Sequence, residues 1–479
     1  MGIHPTECDA MAHESLQQLL DRSGDTVALL RNSRIGAYIY PIVPTEFGNW
    51  RDEQVAWQKT AVLFDQSHHM AEITMRGPEA LRLCTHATIN SFREFVPGKA
   101  KQMVPLSHDG YVIGDGILFY LGPEELLFVG RAPTVNWLEY LAKTAGFKVD
   151  TVRDDRSPSN PYGAAVTRRH YRYQVQGPNA AQVLEKLHGA KLPEIKFFNL
   201  GWIDVKGRKV RALRHGMAGA PGLELFGPYA EREDVRQAII EAGRDFGLVV
   251  CGARTYSSNT LESGWIPSPL PAVYTGEKMR PYREYLPANG YEGTCSIGGS
   301  FVSKDIEDYY VTPHEMGYGP FVKLDHDFIG REALERRVRE GHRRDRKKVT
   351  YEWNGADLGA VTSSLYDRDE LPCKFYDLPN ANYSSASYDS VTLEGKSVGF
   401  SMFAGYSHNE RCGLSLGIVD SSVNVGDELV LVWGEENGGT RKPVVERHRQ
   451  CEVRVRVAPT PYSRLARETY HDGWRTRQA

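Results

Sequence analysis

Two stretches of this chain repeat one rhythm of elements, and that repetition narrows the possible folds most. From Met70, "MAEITMRG" alternates like a strand, and "PEALRLCTHA" follows it with a proline placed for a first helical turn. "GYVIGDGILFYL" and "ELLFVGRA" then read as two strands joined across "GPE", and a helix is expected from Thr134 to about Ala145. Near Tyr171 the order begins again. "YRYQVQG" is a strand, "PNAAQVLEKLHG" a helix, "WIDVKGRKVRALRH" a hairpin turning at Lys206-Gly207, "LELFGP" a strand and "EREDVRQAIIEAGRDFG" a helix. Strand–helix–strand–strand occurring twice predicts two related α+β halves rather than a doubly wound parallel sheet.

The rest of the chain sets the domain plan. "HESLQQLLDRS" and "RDEQVAWQKTA" read as short amphipathic helices flanking a loop that contains "RIGAYIYPIVP". After "FIGREALERRVREG" the pattern changes to short strands separated by turns such as "LEGKS" and "ENGGTRK". The basic run "RRDRKK" between the two regimes is expected to be a solvated linker. The division that follows is 1–165, an α+β domain with the Tyr38/Tyr40 loop; 166–344, a second α+β domain holding Glu224; and 345–479, an all-β domain. A chain of 479 residues is long enough for three cores.

Composition removes several function classes. A formal net charge of −3 supplies no field for nucleic acid or an anionic membrane, and no apolar run approaches the ~20 residues of a membrane helix. No secretory leader pattern opens the chain, so a cytoplasmic protein is expected. The seven cysteines are scattered and never spaced C-x-x-C, so no disulfide framework is expected. No His/Cys group has zinc-site spacing, and His68-His69, being adjacent, cannot both face one side of a strand. No metal is therefore expected.

The candidate chemistry lies in four places. "RHGMAGAPGLELFGP" holds Gly216, Gly219 and Gly222, but no lysine follows them and a strand, not a helix, comes next, so a phosphate loop is excluded. The turn instead presents Glu224, whose carboxylate could take two hydrogen bonds from an amidine-like edge, or could be a plain exposed acid. In "IGAYIYP", Tyr38 and Tyr40 face one side if the segment is extended, as site or as core residues. Arg131 ends the apolar strand "ELLFVGRA", where it could clamp a carboxylate or make a surface ion pair. "GARTYSSNTLESGWIPSPLP" begins a helix and runs on through Trp265 into a shaped, proline-rich loop.

These pieces together resemble one superfamily. "RHGMAGAPGLE" resembles the R-T-G-Y-T-G-E-x-G-[FY]-E signature of the glycine-cleavage T-protein (aminomethyltransferase) superfamily, matched at Arg214, Gly216, Gly219, Gly222 and Glu224. "AVLFDQSHHM", "YQVQGPNAAQVL" and "VTPHEMGYGPFVKLDHDFIGREAL" resemble its other motifs in the same order. The resemblance implies a three-domain disc of two α+β domains and a C-terminal barrel or jelly roll around a central tetrahydrofolate. Glu224 would then bind the 2-amino and ring N–H edge of the pterin.

Departures from the pattern select a branch. Y-T-G-E becomes Met217-Ala218-Gly219-Ala220, the N-A after the apolar strand becomes Arg131-Ala132, and "GARTYSSNTLESG" is two residues longer and carries Tyr256. Asp115 keeps one acid of the family's D-D-L. With these features the chain is similar to the tetrahydrofolate-dependent aryl O-demethylases of lignin-derived methoxybenzoates (vanillate, 3-O-methylgallate, syringate). By that resemblance Tyr40 and Tyr256 jointly supply a phenolic general acid with Tyr38 beside them in the catalytic group, and Arg131, His69 and Gln66 meet the aromatic substrate. Glu224, Gln174, Trp265 and Asp115 meet the folate, and the protein is a monomer or small homo-oligomer. The alternatives are an aminomethyltransferase or other folate-dependent demethylase of a non-aromatic donor, and a folate-binding protein without catalysis.

Overall fold

Both halves build a sheet with one strand order, antiparallel except for one strand pair of the second, as a computed structural model of residues 14–154, 168–217, 219–267, 269–340 and 345–469 shows. The first sheet runs Ala100–Met103, Gly116–Gly122, Glu125–Gly130, Ala71–Arg76, Asp150–Asp154. The second runs Leu200–Val205, Arg208–Arg214, Gly222–Pro228, His170–Gln176, then Ala61–Asp65 and Leu248–Cys251. The helix Ala80–Ala87 is matched by Ala180–His188 and Ala132–Thr144 by Arg232–Gly243, each 100 residues further on. The expected repetition is thus a repetition of topology. The hairpin turns at Lys206 and Gly207, both at positive φ, as a tight two-residue connection requires.

The second sheet contains one strand more than the first. Ala61–Asp65 lies antiparallel to His170–Gln176 and parallel to Leu248–Cys251, so it is inserted between strands that are neighbours in the first sheet. Because it comes from the N-terminal part of the chain, it carries Gln66 and His69 to the second sheet's edge of the site. Residues 266–334 return to the first sheet's core, where they pack with the helices Leu16–Ser23 and Thr26–Arg31 and with Ala71–Arg76. The two sheets therefore interleave along the sequence.

The C-terminal region closes six antiparallel strands into a barrel, Arg346–Trp353, Cys412–Asp420, Lys396–Ser407, Asp389–Leu393, Glu428–Trp433 and Cys451–Ala458. It also holds the helix Gly355–Ser363, capped by the Asn354 side chain. Two expectations are corrected here. The basic run is no solvated linker from 346 onward: it enters the first barrel strand, where Arg346 pairs with Glu315 at 2.6 Å with both side chains buried. Charge density suggested solvent, but an ion pair from a neighbouring segment meets it instead. Secondly, Cys373 and Cys451 form a disulfide across 78 residues, because a bridge between Cys373 and Arg449 aligns the two segments, which no local spacing reveals. Among the described residues, no helix is long and apolar enough to cross a membrane, and no three His, Cys, Asp or Glu side chains group to hold a metal.

Candidate active site

A cavity of about 330 Å³ opens where the two sheets meet the helix Ala253–Ser263 and the C-terminal segment. The glycine-rich turn forms part of its wall, through Gly216, Met217 and Gly219. Gly219 has φ +78°, and a side chain there would meet the Ala466 backbone at 2.3 Å. A Cβ on Gly222 would lie 2.1 Å from the Val175 carbonyl, so the strand bearing Glu224 can seat against His170–Gln176 only with glycine at that point.

Glu224 is 3 % exposed and lies opposite Gln174 in the sheet register. Arg172 Nη2 donates to its Oε1, and His215 Nε2 lies 2.7 Å from its Oε2. Burial alone would raise this carboxyl, but Arg172 and His215 outweigh it and hold it at about 2, so it is ionised at neutral pH. Arg172 is itself sandwiched between Phe119 and Phe226, at 4.7 and 5.0 Å from their ring centres. Gln174 donates to the His215 carbonyl at 3.3 Å and leaves its own buried Oε1 without a partner.

Beside Glu224 lies an aromatic cluster. Tyr38 and Tyr40 do share a side, with ring centres 6.3 Å apart, while Ile39 between them is 76 % exposed. His69 stacks on Tyr40 at 5.1 Å and meets the Tyr256 ring edge-on at 4.7 Å. His68 points away to Tyr229, 2.9 Å from its hydroxyl. The three phenols differ in where their hydrogens go. Tyr40 donates to the Asp65 carbonyl, and Tyr38 donates to the His69 carbonyl at 2.7 Å. Tyr256 accepts from Gln66 Nε2 at 3.3 Å and lines the cavity. Burial raises all three tyrosines well above their ordinary range, so each stays protonated. Burial, assisted by Arg131, lowers His69 to about 3, so its ring is neutral.

Arg131 sits at the start of the helix Ala132–Thr144, its guanidinium 5.1 Å from the Tyr38 ring centre and hydrogen-bonded to Tyr291. On another wall, Trp265 Nε1 donates to Asp115 Oδ2 at 2.8 Å, and the same oxygen accepts from Gln102 at 2.6 Å and Tyr318 at 2.6 Å. Asp115 therefore acts on the cavity through the orientation of Trp265 and Gln102, which line it.

Gln66, His69, Glu224, Tyr256 and Trp265 line the cavity, whereas Tyr38, Tyr40, Arg131, Gln174 and Asp115 are not among its lining residues. Sequence reasoning missed Arg172, His215, Tyr318 and Asn259. Arg172 carried one usable signal: a charge in the buried strand "YRYQVQG", two positions from Gln174 on the same face.

Comparisons with known proteins agree with this fold. The pattern of the GCVT N-terminal domain matches residues 36–268. The chain is 49 % identical to syringate O-demethylase of Sphingobium sp. over 97 % of its own length and 100 % of that protein's. It is 30 % identical to sesamin methylene transferase of Sinomonas sp., over 90 % of this chain and 93 % of the other. The crystal structure of the glycine cleavage system aminomethyltransferase T from Bartonella henselae superposes with a TM-score of 0.57 at 17 % identity, covering 93 % of this chain and 97 % of that one, a likeness of fold.

Proposed function

The chain belongs to the GCVT-domain family that includes syringate O-demethylase, and from that membership we infer that it moves the methyl group of a methoxylated benzoate to N5 of tetrahydrofolate. The products are 5-methyltetrahydrofolate and a phenol, and the substrate is syringate, vanillate or 3-O-methylgallate. One observation carries the reading: an ionised, buried Glu224 and a protonated Tyr256 line one cavity, with Tyr40 packed on Tyr256, and Tyr38 and Arg131 next in line behind them.

The residues present fit a pterin. An ionised carboxylate only accepts hydrogen bonds and keeps lone pairs beyond those used by Arg172 and His215, which matches adjacent amino and ring N–H donors; Gln174 Oε1, opposite Glu224 in the sheet, is an acceptor without a partner. Tetrahydrofolate supplies the nucleophilic nitrogen; the chain supplies position and a proton. Arg131, beyond the lining and against the Tyr38 ring, takes a substrate carboxylate that extends past Tyr38, and the unpartnered His69 Nε2 can accept from a ring hydroxyl without carrying charge into the site.

The leaving ether oxygen needs a proton as the O–CH₃ bond breaks. Tyr256 is the donor best arranged to give it, since the Tyr40 and Tyr38 hydrogens are committed to carbonyls while that of Tyr256 is free to turn into the cavity. Gln66 then donates to the phenolate oxygen left on Tyr256 until the proton lost from the methylated N5 restores its hydroxyl, and Tyr40, 5.3 Å away ring to ring, keeps that ring in place. Arg131 also separates this reading from that of a non-aromatic donor, which would need no carboxylate clamp beside aromatic rings. The test is incubation with tetrahydrofolate and, in turn, syringate, vanillate, 3-O-methylgallate and the neutral guaiacol. Formation of 5-methyltetrahydrofolate with the carboxylated substrates supports the proposal, and turnover only with a non-aromatic donor refutes it.

A further inference from the structure

Asn259 stands three residues beyond Tyr256 on the helix Ala253–Ser263, nearly one turn along the same face, and lines the cavity. The polar groups on the opposite face are satisfied: Thr255 donates to Glu53, Ser258 accepts from Gln54, and Glu262 accepts from Trp57 and Ser407. On the cavity face, Thr260 and Ser263 donate their hydroxyls to the helix's own carbonyls, of Ser257 and Thr260. Asn259 breaks this economy. It is 1 % exposed, and its Nδ2 has no hydrogen-bond partner among the described residues. A leucine would fill similar space without desolvating an unpaired amide.

The other side-chain N–H donors of the cavity wall are committed, apart from Arg172 Nη1, which makes no hydrogen bond and faces Glu72 Oε1 at 3.6 Å. Arg172 and His215 are turned onto Glu224, Gln66 onto Tyr256 and Met217, and Gln102 and Trp265 onto Asp115. His69 gives its Nδ1–H to the Tyr38 hydroxyl, whose own hydrogen goes to the His69 carbonyl, so its unpartnered Nε2 is an acceptor. A pterin carries a ring carbonyl next to the N–H edge that Glu224 would take, and a carboxylate cannot serve that carbonyl. We propose that Asn259 is the donor to the pterin carbonyl, so that Asn259 and Glu224 together read the acceptor and donor pattern of the folate ring. The proposal rests on the folate-dependent function inferred above.

The experiment compares wild type with Asn259→Leu and Asn259→Asp, using calorimetric titration with tetrahydrofolate and the melting temperature of the ligand-free chain. One recovered neutral hydrogen bond predicts a tetrahydrofolate Kd raised roughly 3- to 10-fold in Asn259→Leu. A larger rise is expected in Asn259→Asp, whose carboxylate repels the carbonyl. The ligand-free Tm of Asn259→Leu should equal or exceed that of wild type, because an unpaired amide has been removed. Unchanged Kd in both variants overturns the proposal, as does a lowered ligand-free Tm in Asn259→Leu, which would mark a role in the fold. Should Asn259→Leu be insoluble, the near-isosteric Asn259→Asp decides by its Kd. Failure of wild type itself to bind tetrahydrofolate overturns both this proposal and the function on which it rests; binding by wild type with unaltered variants overturns only the former.

Discussion

Replacing Arg172 by methionine is the most informative single perturbation, because it separates what holds Glu224 from what Glu224 holds. In the wild type the carboxyl is lowered from its ordinary 4.5 to about 2 against a burial effect that works the other way. That difference is worth about 3 kcal/mol at neutral pH. Its sign follows from the lowered value: the contribution is complete above pH ~4.5 and is lost as the pH falls towards 2. Removing Arg172 leaves a 3 % exposed carboxylate with His215 alone, and breaking one half of a buried pair typically costs about 3–5 kcal/mol. Urea unfolding at pH 7 should show a loss of that order. The double variant Arg172→Met with Glu224→Met should recover much of it, since an apolar pair leaves no uncompensated charge. Folate binding would not recover in the double variant. A loss below about 1 kcal/mol in the single variant, or additive losses in the double, would refute the claim that Arg172 keeps Glu224 ionised.

The remaining expectations concern the aromatic end and the turn. Tyr256→Phe should lower kcat by about 10²–10⁴-fold with tetrahydrofolate affinity retained, and Tyr40→Phe by less, since the Tyr40 hydrogen is held by a carbonyl; stopped turnover with equal losses in both would remove the distinction. Arg131→Ala should raise KM for carboxylated substrates and spare guaiacol, and equal losses for both would exclude the clamp. His69, lowered to about 3, contributes stability that is full above its unfolded value near 6.5 and declines as the pH falls below that; a pH–stability slope between 4 and 6 that His69→Gln leaves unaltered would contradict this. Gly222→Ala places a methyl carbon 2.1 Å from the Val175 carbonyl and should abolish folate binding by unseating the Glu224 strand, as calorimetry would reveal.

What could be read from the sequence depended on how local its cause was. Tyr38 and Tyr40 could be placed on one side because an extended chain alternates, and Ile39 does point outward. The turn before Glu224 was legible because glycine spacing records a backbone that must approach another, here Val175 and Ala466. The strand Ala61–Asp65 could be recognised as apolar, but nothing within five residues states that its partners lie more than 100 positions away. Arg172 and Arg346 look like surface charges when read singly, and become buried only through Glu224 and Glu315 on other segments. Asp115 was found by its motif, while its three donors, Gln102, Trp265 and Tyr318, come from three separate stretches. Long-range pairing of charges and cysteines is set by topology, which the local pattern does not carry.

Methyl transfer from an aryl ether to folate is the reaction that the cavity serves. Its most direct measurement is the fate of a ¹³C-labelled methoxy carbon of syringate incubated with the purified chain and tetrahydrofolate, followed by NMR. One label in the N5-methyl of 5-methyltetrahydrofolate is expected for each phenol formed. Label appearing in formaldehyde or methanol, or remaining in the unreacted ether while a non-aromatic donor is turned over, would contradict it.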